Sequence, residues 1–261
     1  MLIIKNKKLK QLMPQIGFKK MTLPNHSASW LLDRLLPHHC PICFIEIWQN
    51  GLCSDCWQQL AFITEPYCDK CGKPLHTHGL VAICAPCLQD TSQLCRIRSA
   101  IHYDDMARAL ILPFKHGDRL DLAPLIARFM RPAFDALVTD DHLILPIPLH
   151  LWRRVKRRYN QSAEIARHLT SLSNTKAQLS TTILRRAHHT PSLAKHNARK
   201  RQLILKNAFS VTLPVGMDLS KRPILLIDDV ITTGATMQAA SLALRKSGAR
   251  QIDQLSFARI L

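Results

Sequence analysis

Beyond about Arg98 the apolar residues of the chain fall into alternating helical and extended periods. Asp104 to Val138 repeats its apolar positions at helical spacing but is interrupted near Pro113 and Pro124, which predicts one long helix or two shorter ones. His142 to Pro148 is a short apolar run closed by prolines, as expected of a buried strand. Asn160 to Leu172 sets Ala163, Ala166 and Leu169 on one side of a predicted helix. Leu179 to Leu184, Ala208 to Leu213, Pro223 to Asp228 and Gln251 to Ala258 are further predicted strands. Strands alternating with helices predict an α/β domain with a mostly parallel sheet.

One of these strands carries unusual chemistry. In ILLIDDVITTGAT, Ile224 to Ile227 form an apolar run suited to burial on both faces, and it meets Asp228 and Asp229. Two adjacent carboxylates at the end of a buried strand cost stability and call for a function. The small residues that follow, Thr232, Thr233, Gly234, Ala235 and Thr236, precede a helix marked by Met237, Ala240 and Leu244 and stopped at Gly248. A turn of small residues entering a helix aims several backbone N–H groups at one point, which suits a monophosphate. Acids beside it are badly placed for phosphate and well placed for sugar hydroxyls, so the implied ligand is a sugar 5-phosphate held at both ends. The GxxxxGK[ST] loop and the GxGxxG signature are both absent.

Upstream of the α/β pattern, eight of nine cysteines form four CxxC pairs: Cys40/Cys43, Cys53/Cys56, Cys68/Cys71 and Cys84/Cys87. Each pair sets two sulfurs on one turn, and two turns make a tetrahedral thiolate site, so the segment is expected to hold two structural zinc ions. Sequential pairing keeps the intervening loops short, and a cross-braced pairing of first with third and second with fourth is the alternative. Gly72 follows Cys71 where such a knuckle needs a positive φ. Cys95 stands alone, and His38, His39, His76 and His78 are read as surface residues.

Charge adds a further element. The chain carries +18, and between His142 and Lys206 fourteen Lys or Arg face the single acid Glu164, so +13 lies in that quarter. This density favours a polyanion, nucleic acid first, with Trp152 and Tyr159 set among arginines as possible base-stacking groups. No run approaches the ~18 apolar residues of a membrane helix, and the basic start lacks a secretory apolar stretch. The expected layout is a cytoplasmic chain with a disordered basic tail over 1–29, a zinc module over 30–95 and an α/β domain over 96–261.

ILLIDDVITTGAT resembles the 5-phosphoribosyl-1-pyrophosphate (PRPP) motif of type I phosphoribosyltransferases. Together with HHCPIC, GLCSDC, YCDKCG, CAPC, LPFKHG, LPIPLHLWRRVKRRYNQSAEIA and TPSLAKHNARKRQLILKNAF, it makes the chain from Leu31 to Leu261 similar to the ComF/GntX family. The resemblance implies a type I phosphoribosyltransferase-like parallel sheet flanked by helices, with the zinc module as a hood. It implies a role in natural competence and DNA uptake, alongside a competence helicase. By the same resemblance Asp228 and Asp229 would hold the ribose hydroxyls and Thr232 to Thr236 the 5-phosphate. Leu149 to Arg153 would lie near the diphosphate with Mg2+, and Lys195 or Arg199, in the loop Thr190 to Arg201, would neutralise its charge. Lys115, Arg158, Tyr159, Asn160 and Gln161 lie in the shared motifs, whereas Ser192 stands where many relatives carry Gln. Two functions are therefore expected: PRPP binding, with or without phosphoribosyl transfer, and single-stranded DNA binding through 150–206. The alternative is a non-catalytic DNA-binding factor that uses the phosphate site only for binding or sensing.

Overall fold

The computed structural model describes residues 37–75, 82–89, 95–149, 159–186 and 208–261. The tail expected over 1–29 lies outside them. His39–Leu261 forms one compact unit. Its cysteine-rich part holds little regular structure: β1 (His38–His39), β2 (Glu46–Ile47), α1 (Ser54–Gln58) and α2 (Ala85–Gln89). Next come β3 (Ile97–His102), α3 (Asp105–His116), α4 (Ala123–Leu137), β4 (Leu143–Pro146), α5 (Gln161–Leu172), β5 (Gln178–Leu179) and β6 (Leu184–Arg186). β7 (Phe209–Val211), β8 (Ile224–Ile231), α6 (Ala235–Lys246) and β9 (Ile252–Arg259) complete the order.

Five strands form one parallel sheet in the order β3–β9–β8–β4–β5. Alternate residues of its central strands enter two separate cores, as the period of two requires. Leu225, Ile227, Leu255 and Phe257 pack with α3, α4 and α5, while Ile224, Leu226 and Ile252 pack with α6. Helices on both faces explain why β8 begins as an unbroken apolar run.

Several expectations are revised. Pro113 does not end a helix: α3 runs through it to His116, its start held by the Asp104 side chain accepting from the Ala107 amide at 2.8 Å. Pro124 opens α4 in the first turn, where a missing N–H costs nothing. The strand expected over Leu179 to Leu184 is split between β5 and β6, because Ser180 Oγ accepts from the Thr182 amide at 3.4 Å and turns the chain. β6 pairs antiparallel with β7, outside the main sheet. Edge strand β3 has no counterpart among the predicted elements, since Arg98 and Ser99 interrupt its apolar pattern. Ser99 is tolerated inside because its hydroxyl pairs with that of Ser256 at 2.7 Å.

The cysteine-rich part packs along β3. Ile63 N donates to Ala100 O at 2.9 Å and His102 N to Ala61 O at 2.8 Å, which covers the edge of the sheet. Trp57 and Phe62 meet Phe129 of α4 at ring-centroid distances of 5.4 and 5.7 Å. Farther along, Ile97 N donates to Lys70 O at 2.8 Å. Among the described residues no helix is long and apolar enough to cross a membrane.

Candidate functional site

The structure gathers the CxxC pairs sequentially. Cys40, Cys43, Cys53 and Cys56 form one group and Cys68, Cys71, Cys84 and Cys87 another, with all ligand atoms of a group within 4.8 Å of one another. A tetrahedral zinc–thiolate site with ~2.3 Å bonds has sulfur–sulfur edges of about 3.8 Å. Cys43 and Cys53 lie 3.5 Å apart and Cys71 and Cys84 3.6 Å, close to that edge and far from a disulfide bond. The donor sets therefore fit zinc. Both knuckles are built alike: Phe44 N donates to Cys40 O at 2.9 Å and Gly72 N to Cys68 O at 2.8 Å. Both residues are left-handed, with φ of 63° and 67°. The first knuckle thus places a phenylalanine where the second uses glycine, a feature the residue types did not announce.

Asp228 and Asp229 lie inside β8, not at its end. β9 continues to pair with β8 through Val230 and Ile231, whereas β4 stops at Pro146, opposite Ile227. One edge of β8 is therefore open from Asp228 onward, at the carboxyl end of the sheet where ligands of parallel α/β folds sit. Lys115 Nζ of α3 meets Asp229 Oδ1 at 2.9 Å, with both side chains largely buried. Asp228 Oδ1 accepts from Ser162 Oγ at 3.0 Å and from the Asp229 amide at 2.9 Å. Burial and the neighbouring Asp229 carboxylate push Asp228 up to about 7, against the pull of Lys115 and these two donors.

The Tyr159–Ser162 stretch holds this arrangement. Tyr159 donates its hydroxyl to Phe114 O at 2.6 Å, Asn160 Nδ2 donates to Ile147 O at 3.1 Å, and Gln161 Nε2 reaches Lys115 O at 3.4 Å. These side chains tie the last turn of α3, the end of β4 and, through Ser162, the acid pair to the start of α5. Helix-terminal carbonyls that lack intrahelical partners are satisfied this way. Asn160 Oδ1 and Gln161 Oε1 are buried and unpartnered. Tyr159 also packs against Phe114 at 5.9 Å, so part of its ring serves the core.

The bend between β8 and α6 is Thr232–Gly234, with Gly234 left-handed at φ 74°. Thr233 Oγ1 accepts from the Ala235 amide at 3.4 Å, so that N–H is engaged within the bend. The remaining first-turn amides of α6, including Thr236, lie where intrahelical acceptors do not reach. Thr232, Thr233 and Gly234 line a cavity of about 540 Å³ that extends between α6 and the second thiol cluster. Neither acid lines that cavity. Arg153, Trp152, Arg158, Lys195 and Arg199, and most of the basic stretch 150–206, lie outside the described residues.

Residues 31–88 match the double zinc ribbon domain family. The chain is 31% identical over 226 residues to competence protein F of Haemophilus influenzae, covering 82% of this chain and 93% of that one. It is 28% identical over 217 residues to the DNA utilization protein YhgH of Escherichia coli O157:H7, covering 81% and 91%. Competence protein ComFC of Bacillus subtilis is 28% identical over 212 residues, 76% of this chain and 79% of that one. Among solved structures, a hypoxanthine phosphoribosyltransferase from Staphylococcus aureus shares 9% identity at a TM-score of 0.33, covering 52% and 62%. A purine phosphoribosyltransferase from Pyrococcus horikoshii shares 15% at 0.27, covering 54% and 81%. With a double zinc ribbon in front of a parallel sheet, and identity to competence protein F across most of both chains, this protein belongs to the ComF family.

Proposed function

We propose that the protein binds PRPP or a closely related sugar phosphate and acts in the use of DNA. The observation that carries this reading is the acid pair held at the open edge of β8, immediately before the left-handed Gly234 turn into α6. Asp228 and Asp229 accept the ribose hydroxyls, and the free amides of the turn, with the Thr232 and Thr236 hydroxyls, take the 5-phosphate. In a transferase the same acids would stabilise positive charge at C1 as the bond to pyrophosphate breaks and the bond to an acceptor nucleophile forms. Lys115 shields them from each other until ligand arrives, and it neutralises charge on the bound phosphates. Mg2+ would enter with the diphosphate, whose own oxygens would hold it. Arg153 and Arg199 would stand near that diphosphate. A role with DNA is supported by the similarity to competence protein F and to the DNA utilization protein YhgH, and by the +13 stretch.

Calorimetric titration of PRPP tests the first part. Asp229→Asn is expected to weaken binding at least tenfold, and unchanged affinity contradicts the site. Pyrophosphate release with an added acceptor identifies a transferase; affinity without release across acceptors identifies a binding protein. For DNA, single-stranded oligonucleotide gel shifts are expected to weaken steeply with salt, and to weaken further when Arg153, Arg154, Arg157 and Arg158 become Glu. Equal affinity in that variant places the DNA contacts elsewhere. A helicase partner is consistent with a DNA-uptake role.

A further inference from the structure

The 540 Å³ cavity is unused by the sugar-phosphate site apart from their shared bend, and its size is that of a small-molecule pocket. One wall is a single face of α6, with Gln238, Ser241, Leu242 and Arg245 at i, i+3, i+4 and i+7. The opposite wall is the second zinc knuckle, and the floor is the β3–β9 side of the sheet. From Gln238 to Arg245 the helical rise amounts to about 10 Å, the length of a mononucleotide and too long for inorganic phosphate alone.

The lining chemistry is one-sided. Among the described residues Lys70, Arg245 and Arg259 line the cavity and no Asp or Glu does. A zinc–thiolate centre carries about −2, and nearby cations could serve only to balance it. Lys70 and Arg259 fit that role: Lys70 Nζ donates to Cys87 O at 3.1 Å and Arg259 donates to Cys71 O. Arg245 does not, because among the described residues its guanidinium makes no hydrogen bond or ion pair. Its neighbour Cys95, whose thiol is pushed up to about 11 by burial, stays neutral beside it. Between the cations and the bend, Gln254 Nε2 donates to Ser241 Oγ at 3.3 Å, leaving the Ser241 hydroxyl hydrogen and the Gln238 amide for a ligand. Ile97, Ile231 and Leu242 supply apolar surface for a flat ring.

We infer that the cleft between α6 and the second zinc knuckle binds a nucleoside monophosphate, its phosphate on Arg245 and its base along Gln238, Ser241 and Ile97. The site is distinct from the acid pair, so each can fail alone. The experiment titrates AMP, GMP, CMP and UMP separately into the zinc-loaded full chain. At least one is expected to bind with one-to-one stoichiometry. Arg245→Ala is expected to weaken that binding at least tenfold, and Leu242→Trp, which fills the cleft from an exposed position without removing charge, is expected to do the same. Asp229→Asn is expected to leave it unchanged while losing PRPP. The inference is overturned if none of the four binds, if both cleft variants bind like the parent, or if Asp229→Asn abolishes mononucleotide binding and Arg245→Ala does not. The last result would place the nucleotide in the sugar-phosphate site.

Discussion

A carboxyl group pushed up to about 7 is half ionised near neutrality, so Asp228 costs stability as pH rises toward that value. Its unfolded counterpart ionises near 4, so the folded form holds the proton over the interval between, and the penalty grows from pH ~4 to its full size above ~7. Asp228→Asn keeps the shape and removes the charge. Thermal or urea unfolding at pH 8 is expected to find the variant more stable by about 1–3 kcal/mol, with the difference vanishing near pH 4. PRPP affinity is expected to fall in the same variant. A variant less stable than the parent at pH 8 would mean that Lys115 and Ser162 more than compensate the acid pair. Stability surrendered at one buried carboxyl is what a functional site looks like.

The two zinc knuckles share a backbone and differ in the residue that turns it. At Gly72 an added Cβ would meet Ile97 O at 2.3 Å, on top of a φ of 67°. Gly72→Ala is expected to destabilise by about 2–3 kcal/mol, because both the turn and the seam with β3 resist it. Phe44 stands at φ 63° and is 66% exposed, so Phe44→Gly removes strain and little burial. Its thermal unfolding is expected to stay within about 1 kcal/mol of the parent, at or above it. A large loss there would show that the ring holds something. At this scale much was legible in the sequence, and the gaps have physical causes. The Ile224–Ile227 run, the Thr/Gly turn and the CxxC spacing each express one local rule, and local rules survive folding. That the strand runs on through Asp228 to Ile231 depends on β9 alongside it, which no local pattern contains. Likewise Ser99 hides β3 because its partner Ser256 is 157 residues away. The use of Tyr159 to Ser162 as clamps follows from where α3 ends, not from their types.

Across the molecule, the zinc ribbons cover the edge of β3, while α3 and α5 hold the acid pair through Lys115 and Ser162. The Arg96–Asp253 pair at 2.6 Å adds a second seam, joining the residue before β3 to the start of β9. The nearby His142 ring, with Nε2 4.0 Å from the carboxylate, and the hydrogen bonds from Arg96 hold Asp253 down to about 2 despite its burial, so this seam stays ionised throughout the range in which Asp228 titrates. The central claim nevertheless concerns one turn: its amides hold a phosphate while the acids hold a sugar. Amide hydrogen exchange measured by mass spectrometry, with and without PRPP, reads that turn directly. Binding is expected to slow exchange over Thr232–Met237 and near Lys115, with Asp229→Asn erasing both effects. PRPP that binds with unchanged exchange over Thr232–Met237 would contradict the account.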